Sequence, residues 1–266
     1  MRAATASLAG VSVLVTRPIE QSVGLATAIE KRGGIAIRAP MIVIADLSAG
    51  DPNNRSKPAP ADFDIAIFSS KNAVEYGLRS VSAAGTAVSL TDKAVYAVGL
   101  GTAATLANHG IAQVSVPGDG FNSEGLLRLD GLSERAVNGR QIIIFRGVGG
   151  RELLAETLRK RGAKVQYQAC YERRKPDFQL SAVLAAHRVK SPDVGLATSI
   201  ESLHNLIEKI EDEGLDLLFR MQMLAVGSRV GREVESLGFT RPALVVENPS
   251  DEGITEQLVL WAADES

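Results

Sequence analysis

The sequence predicts an α/β protein with helices on both faces of parallel sheets, and three observations carry that expectation. Short β-branched runs alternate with longer amphipathic stretches along the whole chain. Landmarks of the first half recur in the second half at a constant spacing. The 266 residues, at roughly 150 per domain, make about two domains.

Strands are expected at residues 11–15, 35–44, 65–68, 95–98, 113–116, 141–145, 165–171, 194–197, 223–226 and 244–246, where Val, Ile and Leu run together. Helices are expected between them, among others at 20–32, 72–83, 150–161, 201–213 and 251–262. The repeat gives these elements a second layer of support. Arg17 and Arg146 each close an apolar strand, lie 129 residues apart, and are each followed 16 residues later by the glycine of Lys-Arg-Gly. Ser70 and Ser199 are also 129 apart; Ala97-Val-Gly99 and Ala225-Val-Gly227, and Ser123-Glu-Gly-Leu126 and Asp251-Glu-Gly-Ile254, are 128 apart. Five landmarks in one register indicate two copies of one α/β unit. Taken alone, the repeat places a domain cut near 132–139, while the proline-rich stretch 51–62 reads as a surface insertion.

Composition narrows the function. Hydrophobic residues at 45% and charged residues at 23% describe a globular protein with enough apolar mass for real cores. A formal net charge of −2 argues against a dedicated nucleic-acid binder. The longest uncharged run, 94–118, contains Asn108, His109, Gln113 and Pro117 and is no membrane span. One cysteine, Cys170, forms neither an internal disulfide nor a multi-cysteine metal site and reads as a packed thiol. With no cleavage pattern after the short apolar start, a cytoplasmic protein is the default.

Individual motifs are weak. Gly99-Leu-Gly-Thr-Ala-Ala104 opens a helix as a dinucleotide fingerprint does, with Asp119 twenty residues on, but it sits at the third strand of its repeat and the second copy lacks it. Gly147-Val-Gly-Gly150 is not followed by Gly-Lys-Ser/Thr, so it is no P-loop. His109, His187 and His204 are far apart and share neither metal spacing nor a carboxylate partner, and no G-x-S-x-G elbow is present. What remains is a set of small polar residues at strand ends just before helices: Thr16-Arg17, Ser69-Ser70, Gly101-Thr102, Asn122-Ser123, Thr198-Ser199 and Gly227-Ser228. Each alone reads as a helix cap. Together they line the carboxyl ends of the strands, where open α/β sheets bind ligands and helix N-termini offer free N–H groups. Two such crevices suit a large ligand with many carboxylates, with Arg17, Arg146, Arg151 and Arg229 supplying charge. A two-domain protein that closes on a small anion without chemistry fits the same residues.

These residues resemble the uroporphyrinogen-III synthase family over nearly the whole chain. The match runs through Val-Leu-Val-Thr16-Arg17-Pro18, Phe68-Ser69-Ser70-Lys-Asn72-Ala-Val74, Ala97-Val-Gly99 with Thr102, Arg146-Gly147 with Arg151, Tyr171-Glu-Arg173, Thr198-Ser199 and Ala225-Val-Gly227. The family often carries adjacent threonines after the second Ala-Val-Gly, where this chain has Ser228-Arg229-Val230.

The resemblance implies two flavodoxin-like domains joined by two extended strands, one domain formed by 1–38 with 174–266 and the other by 41–170, with crossings at 39–40 and 171–173. It implies cyclisation of hydroxymethylbilane, a linear tetrapyrrole with eight carboxylates, by loss of water and inversion of the last pyrrole ring. Hydroxyl loss from the first ring leaves an azafulvene, the last pyrrole attacks through its substituted carbon, and a spiro intermediate breaks and rejoins turned around. Pyrrole nitrogens supply the electron push, so neither metal nor organic cofactor is implied, and the enzyme is expected to be a monomer. The implied general acid is Tyr171. From the residues alone, alternation in a strand 165–171 puts Tyr167 and Tyr171 on one face as ordinary amphipathic packing. The Tyr-x-Arg context gives the role to Tyr171.

Overall fold

The computed structural model describes residues 7–47, 62–83, 90 and 92–265. The stretch 51–62 lies outside them apart from Asp62. In chain order the elements are β1 (Ser12–Val15), α1 (Ile19–Lys31), β2 (Ile35–Arg38), β3 (Val43–Asp46), β4 (Ile65–Phe68), α2 (Lys71–Ala83), β5 (Ala94–Ala97), α3 (Leu100–Asn108), β6 (Val114–Ser115), α4 (Ser123–Leu127), α5 (Glu134–Val137) and β7 (Gln141–Gly147). They continue with α6 (Leu153–Lys160), β8 (Lys164–Arg174), α7 (Leu180–Ala186), β9 (Val194–Ala197), α8 (Ile200–Asp212), β10 (Gln222–Val226), α9 (Ser228–Ser236), β11 (Leu244–Val246) and α10 (Asp251–Asp264).

The chain forms two compact units. Unit 1 runs to Val43 and resumes at Arg174, and unit 2 is Ile44–Arg173. Unit 1 holds the sheet β11-β10-β9-β1-β2, and unit 2 the sheet β3-β8-β7-β4-β5-β6. Strand β1 pairs in parallel with β9, and β4 pairs in parallel with β7. Each sheet therefore combines the opening strand–helix–strand of one repeat copy with the last three strands of the other. In both sheets this gives the flavodoxin order 2-1-3-4-5, with β3 added at the edge of the second.

The apolar runs explain why these strands lie inside. Val13, Leu14 and Val15, and Ile65, Ala66, Ile67 and Phe68, are all buried, because parallel strands are covered on both faces. In unit 1 Leu14 and Ile37 meet Leu203, Leu206 and Val234 on one face, while Val13 and Val15 meet Leu25, Ile29, Ile254 and Leu258 on the other. In unit 2 Phe68 and Phe145 stack with centroids 4.5 Å apart beneath Ala73, Val74 and Leu106. Ile65, Ile67, Ile142 and Ile144 face Leu126, Leu154 and Leu158. Burying each such side chain contributes about 1.5–3 kcal/mol.

Several expected elements change. The single strand 35–44 is two strands, β2 and β3, because Pro40 has no N–H for a ladder and restricts the residue before it. The expected helix 150–161 begins only at Leu153, since Gly149 and Gly150 take positive φ values of +76° and +95°. The stretch 132–139 is no domain boundary: Leu132 and Val137 are fully buried in the core of unit 2. Residues 171–173 are the end of β8, where Tyr171 pairs with Gly147, and the strand runs on to Arg174, the first residue of the returning part of unit 1.

Candidate active site

Unit 2 carries a cleft of about 550 Å³ at the carboxyl ends of its strands, lined by Ser69, Val98, Phe121, Asn122, Ser123, Ile144, Arg146, Gly147, Val148, Gly149, Gly150, Arg151, Leu154, Tyr167, Tyr171 and Arg173. The late start of α6 makes room for it. The glycine loop after β7 occupies the positions that would otherwise begin the helix, and Asn122 caps α4 by accepting the Gly125 N–H at 2.8 Å.

Tyr171 forms one wall. It is 5% exposed, packs in the cluster with Phe68, Phe145 and Cys170, and lies 6.0 Å from the Tyr76 ring between centroids. Its hydroxyl is 3.1 Å from Ser70 Oγ. Ser70 caps α2 by accepting the Ala73 N–H at 3.1 Å. Gly147 lies directly against the ring: a Cβ there would fall 2.8 Å from Cε2 and Cζ and 3.1 Å from the hydroxyl.

The expected alternation in β8 fails between the two tyrosines. Arg146 is opposite Ala169, but the next pair is Gly147 with Tyr171, so one extra residue enters β8 there. Tyr167 and Val165 accordingly pack toward the Ile142–Ile144 face, while Cys170 and Tyr171 both join the opposite cluster. Burial pushes the Cys170 thiol up to about 12, and it is the packed thiol the sequence indicates.

Around Tyr167 is a charged set that includes Glu152, a residue the sequence does not single out. The Tyr167 hydroxyl donates to Glu152 Oε2 at 2.8 Å, and Arg146 Nη1 donates to Glu152 Oε1 at 3.0 Å. The Arg146 guanidinium lies 4.4 Å above the Tyr167 ring centroid, a cation–π arrangement. Hydrogen bonding from Tyr167 holds the Glu152 carboxyl below the ordinary range; burial opposes it, and a hydrogen bond from Arg146 adds to it. Burial, and next the bond to Glu152, push the Tyr167 phenol up to about 12. Arg146 is 11% exposed in its side chain, whereas Arg151 is 73% exposed and pairs with Glu124 at 3.1 Å.

Other sequence-selected residues fall elsewhere. Ser69, Ser123, Arg146, Gly147, Arg151 and Tyr171 line the cleft; Ser70, Asn72, Gly101 and Thr102 do not. Thr102 is buried in the first turn of α3, half-buried Asn72 is the second residue of α2, and a Cβ on Gly101 would meet Lys71 Cε at 2.7 Å. In unit 1 the selected residues gather at the carboxyl ends of β1, β9 and β10. Thr16 is buried and donates its hydroxyl to the Leu196 carbonyl at 2.5 Å. Arg17 Nη1 pairs with Asp251 at 2.6 Å, and its Nη2 donates to the Pro249 carbonyl at 2.8 Å. Ser199 caps α8, half-buried Thr198 precedes it, Gly227 has φ +81° before α9, and Ser228 is the exposed first residue of that helix. His109 and His204 do find carboxylates, Glu75 at 3.2 Å and Glu233 at 2.6 Å, across helix pairs that sequence spacing does not reveal.

The model of the uroporphyrinogen-III synthase HemD family matches residues 24–256. The chain belongs to the uroporphyrinogen-III synthase family. It is 28% identical over 255 residues to the uroporphyrinogen-III synthase of Salmonella typhimurium, covering 93% of this chain and 99% of that protein. It is 34% identical over 165 residues to that of Proteus mirabilis, covering 61% and 80%. In fold it is similar to the uroporphyrinogen-III synthetase of Helicobacter pylori, with a TM-score of 0.57 at 16% identity over 96% of this chain and 99% of that one. The likeness to a mutant uroporphyrinogen III synthase from Thermus thermophilus has a TM-score of 0.56 at 17% identity over 97% and 100%. The activity of a uroporphyrinogen-III synthase is cyclisation of hydroxymethylbilane to uroporphyrinogen III, a lyase reaction of porphyrin and heme biosynthesis, and it is the activity of this chain.

Proposed function

We propose that the reaction is run at the unit 2 cleft, with Tyr171 as the general acid that helps the hydroxyl leave. The observation that carries this is the phenol on the cleft wall, its ring seated on Gly147. Phenols keep their proton at neutral pH and donate it without special tuning. The hydroxyl departs as water with that proton, and the hydrogen displaced from the free α-carbon of the last pyrrole at ring closure restores it. Binding in this reading falls to carboxylate contacts: the backbone N–H groups of the 147–150 loop, the Ser69 and Ser123 hydroxyls, and Arg146 and Arg151. Thr198, Ser199, Gly227 and Ser228 offer the same donor types at the strand ends of unit 1. Thr16, by contrast, has its single hydroxyl proton committed to Leu196.

The near-neutral charge supports an enzyme without a nucleic-acid partner, and no helix among the described residues is long and apolar enough to cross a membrane. On this reading it works as a cytoplasmic monomer. The small-anion binder without chemistry gives way to family membership.

The test uses enzymatically generated hydroxymethylbilane. Tyr171→Phe should lower turnover about 10²-fold or more, the range of general acid assistance, while KM stays close to wild type. Retention of more than about a third of wild-type turnover, far short of that range, would move the proton source to water or substrate.

A further inference from the structure

We infer that Ser70 is a positioning residue: its hydroxyl donates to the Tyr171 oxygen and thereby leaves the phenol proton pointing into the cleft. This rests on the reading of Tyr171 as the general acid. Ser70 does not line the cleft, and its hydroxyl is joined to the cleft wall by the contact with the Tyr171 hydroxyl.

The hydrogen-bond inventory of Ser70 limits what the pair can do. Its hydroxyl has one proton and two lone pairs. One lone pair takes the Ala73 N–H at 3.1 Å, which leaves the proton and one lone pair for Tyr171, 3.1 Å away. If Tyr171 donated, its proton would be tied to Ser70 and withheld from the departing hydroxyl. If Ser70 donates, the phenol oxygen is held, the phenol proton is available, and the phenolate left after transfer still receives a hydrogen bond.

The helix strengthens this arrangement. Ser70 stands at the N-terminus of α2, a 13-residue helix whose free N–H groups and positive dipole end face it. An N–H bonded to Oγ polarises the hydroxyl and makes its own proton a better donor. Gly147 fixes the other side of the phenol, since any Cβ there meets the ring. Helix cap, serine, phenol and glycine thus form one seat with a single outward direction for the proton.

The experiment measures kcat, KM and the fraction of the type III isomer for Ser70→Gly, Ser70→Thr, Tyr171→Phe and Ser70→Gly/Tyr171→Phe. Glycine caps a helix nearly as well as serine, so Ser70→Gly removes the hydroxyl with little effect on α2. Ser70→Gly should lower kcat about tenfold, a fraction of the general-acid contribution, with KM within about twofold. Ser70→Thr keeps a hydroxyl and should restore most of the loss. In the Tyr171→Phe background, Ser70→Gly should cost nothing further, because its effect passes through the phenol. A loss in Tyr171→Phe with none in Ser70→Gly overturns the positioning role and leaves the phenol's role standing. An equal further loss in the double variant also overturns it. Full turnover in Tyr171→Phe removes the reading of Tyr171, and this inference with it.

Discussion

The two units are copies of one design, and the same register positions have been put to different use. In unit 1 helix α1 begins two residues after Arg17, and Arg17 is closed onto Asp251 in the first turn of α10. In unit 2 helix α6 begins seven residues after the equivalent Arg146, and the residue equivalent to Asp251 is Ser123. Arg146 therefore has no carboxylate at that position of α4 to close onto and turns to Glu152 and the Tyr167 ring instead. At the offset of 129, Tyr171 corresponds to Ile42 and Gly147 to Pro18. A shared fold supplies an edge of helix N-termini in both units. A delayed helix, an absent aspartate and one phenol set the edge of unit 2 apart as the proposed reaction site.

Gly147→Ala attacks that difference hardest. A Cβ 2.8 Å from the Tyr171 ring must displace it, so turnover should drop about 10²-fold, as if the acid were lost, with folding intact by circular dichroism. The counterpart Pro18→Ala should keep turnover within about twofold, since it touches no such ring. Comparable activity losses in both would show that the two edges contribute alike.

Glu152→Gln tests whether Arg146 is masked. The pair is half-exposed on the Glu152 side, at 51%, so its worth is small. Removing the negative charge should lower KM about two- to fivefold, the size of such an ion pair, with steeper salt dependence. A raised KM would mean that Glu152 chiefly orients Arg146.

The same set sets a pH window. Because the Glu152 carboxyl is held below its ordinary range, its stabilisation is present above about pH 4.3 and is lost as pH falls through its lower folded value. The Tyr167 phenol is raised to about 12, so its contribution is present below its ordinary value of about 10 and is lost as pH rises toward 12. Melting temperatures of Tyr167→Phe should fall less steeply than wild type at both extremes; parallel curves would remove the coupling. The smallest effect belongs to Asp119→Asn. Its pair with Arg128 is 87% exposed on the Asp119 side, and stability should move by less than about 1 kcal/mol with unchanged kcat. A large loss of kcat would revive a ligand role for Asp119.

The constant repeat register made the strand ends legible, because parallel strands need continuous apolar runs and each run stops where a polar residue caps a helix. Tyr171 was legible only through its Tyr-x-Arg context. The bulge beside it was not, because one extra residue in β8 leaves no mark in a pattern that is apolar on both sides. Glu152 was hidden for a different reason: its partners Arg146 and Tyr167 come together only when β7, β8 and the loop before α6 fold against each other. Phe121, half-exposed on the cleft wall, lies in a loop without periodicity and gives no sequence signal at all.

The two strand-leading aspartates make the interleaved connectivity a matter of timing as well as shape. In unit 2 Asp64 accepts the Gln141 N–H, a closure of 77 residues, and in unit 1 Asp193 accepts the Ser12 N–H across 181. A growing chain completes unit 2 while unit 1 still lacks β9, β10 and β11. Strand β1, apolar at Val13, Leu14 and Val15, then waits with one edge open until the last third of the chain emerges. Long-range parallel pairing is slow and leaves such edges exposed to aggregation. The half of the molecule that carries the phenol is thus the half that can fold first, and late assembly falls on the other.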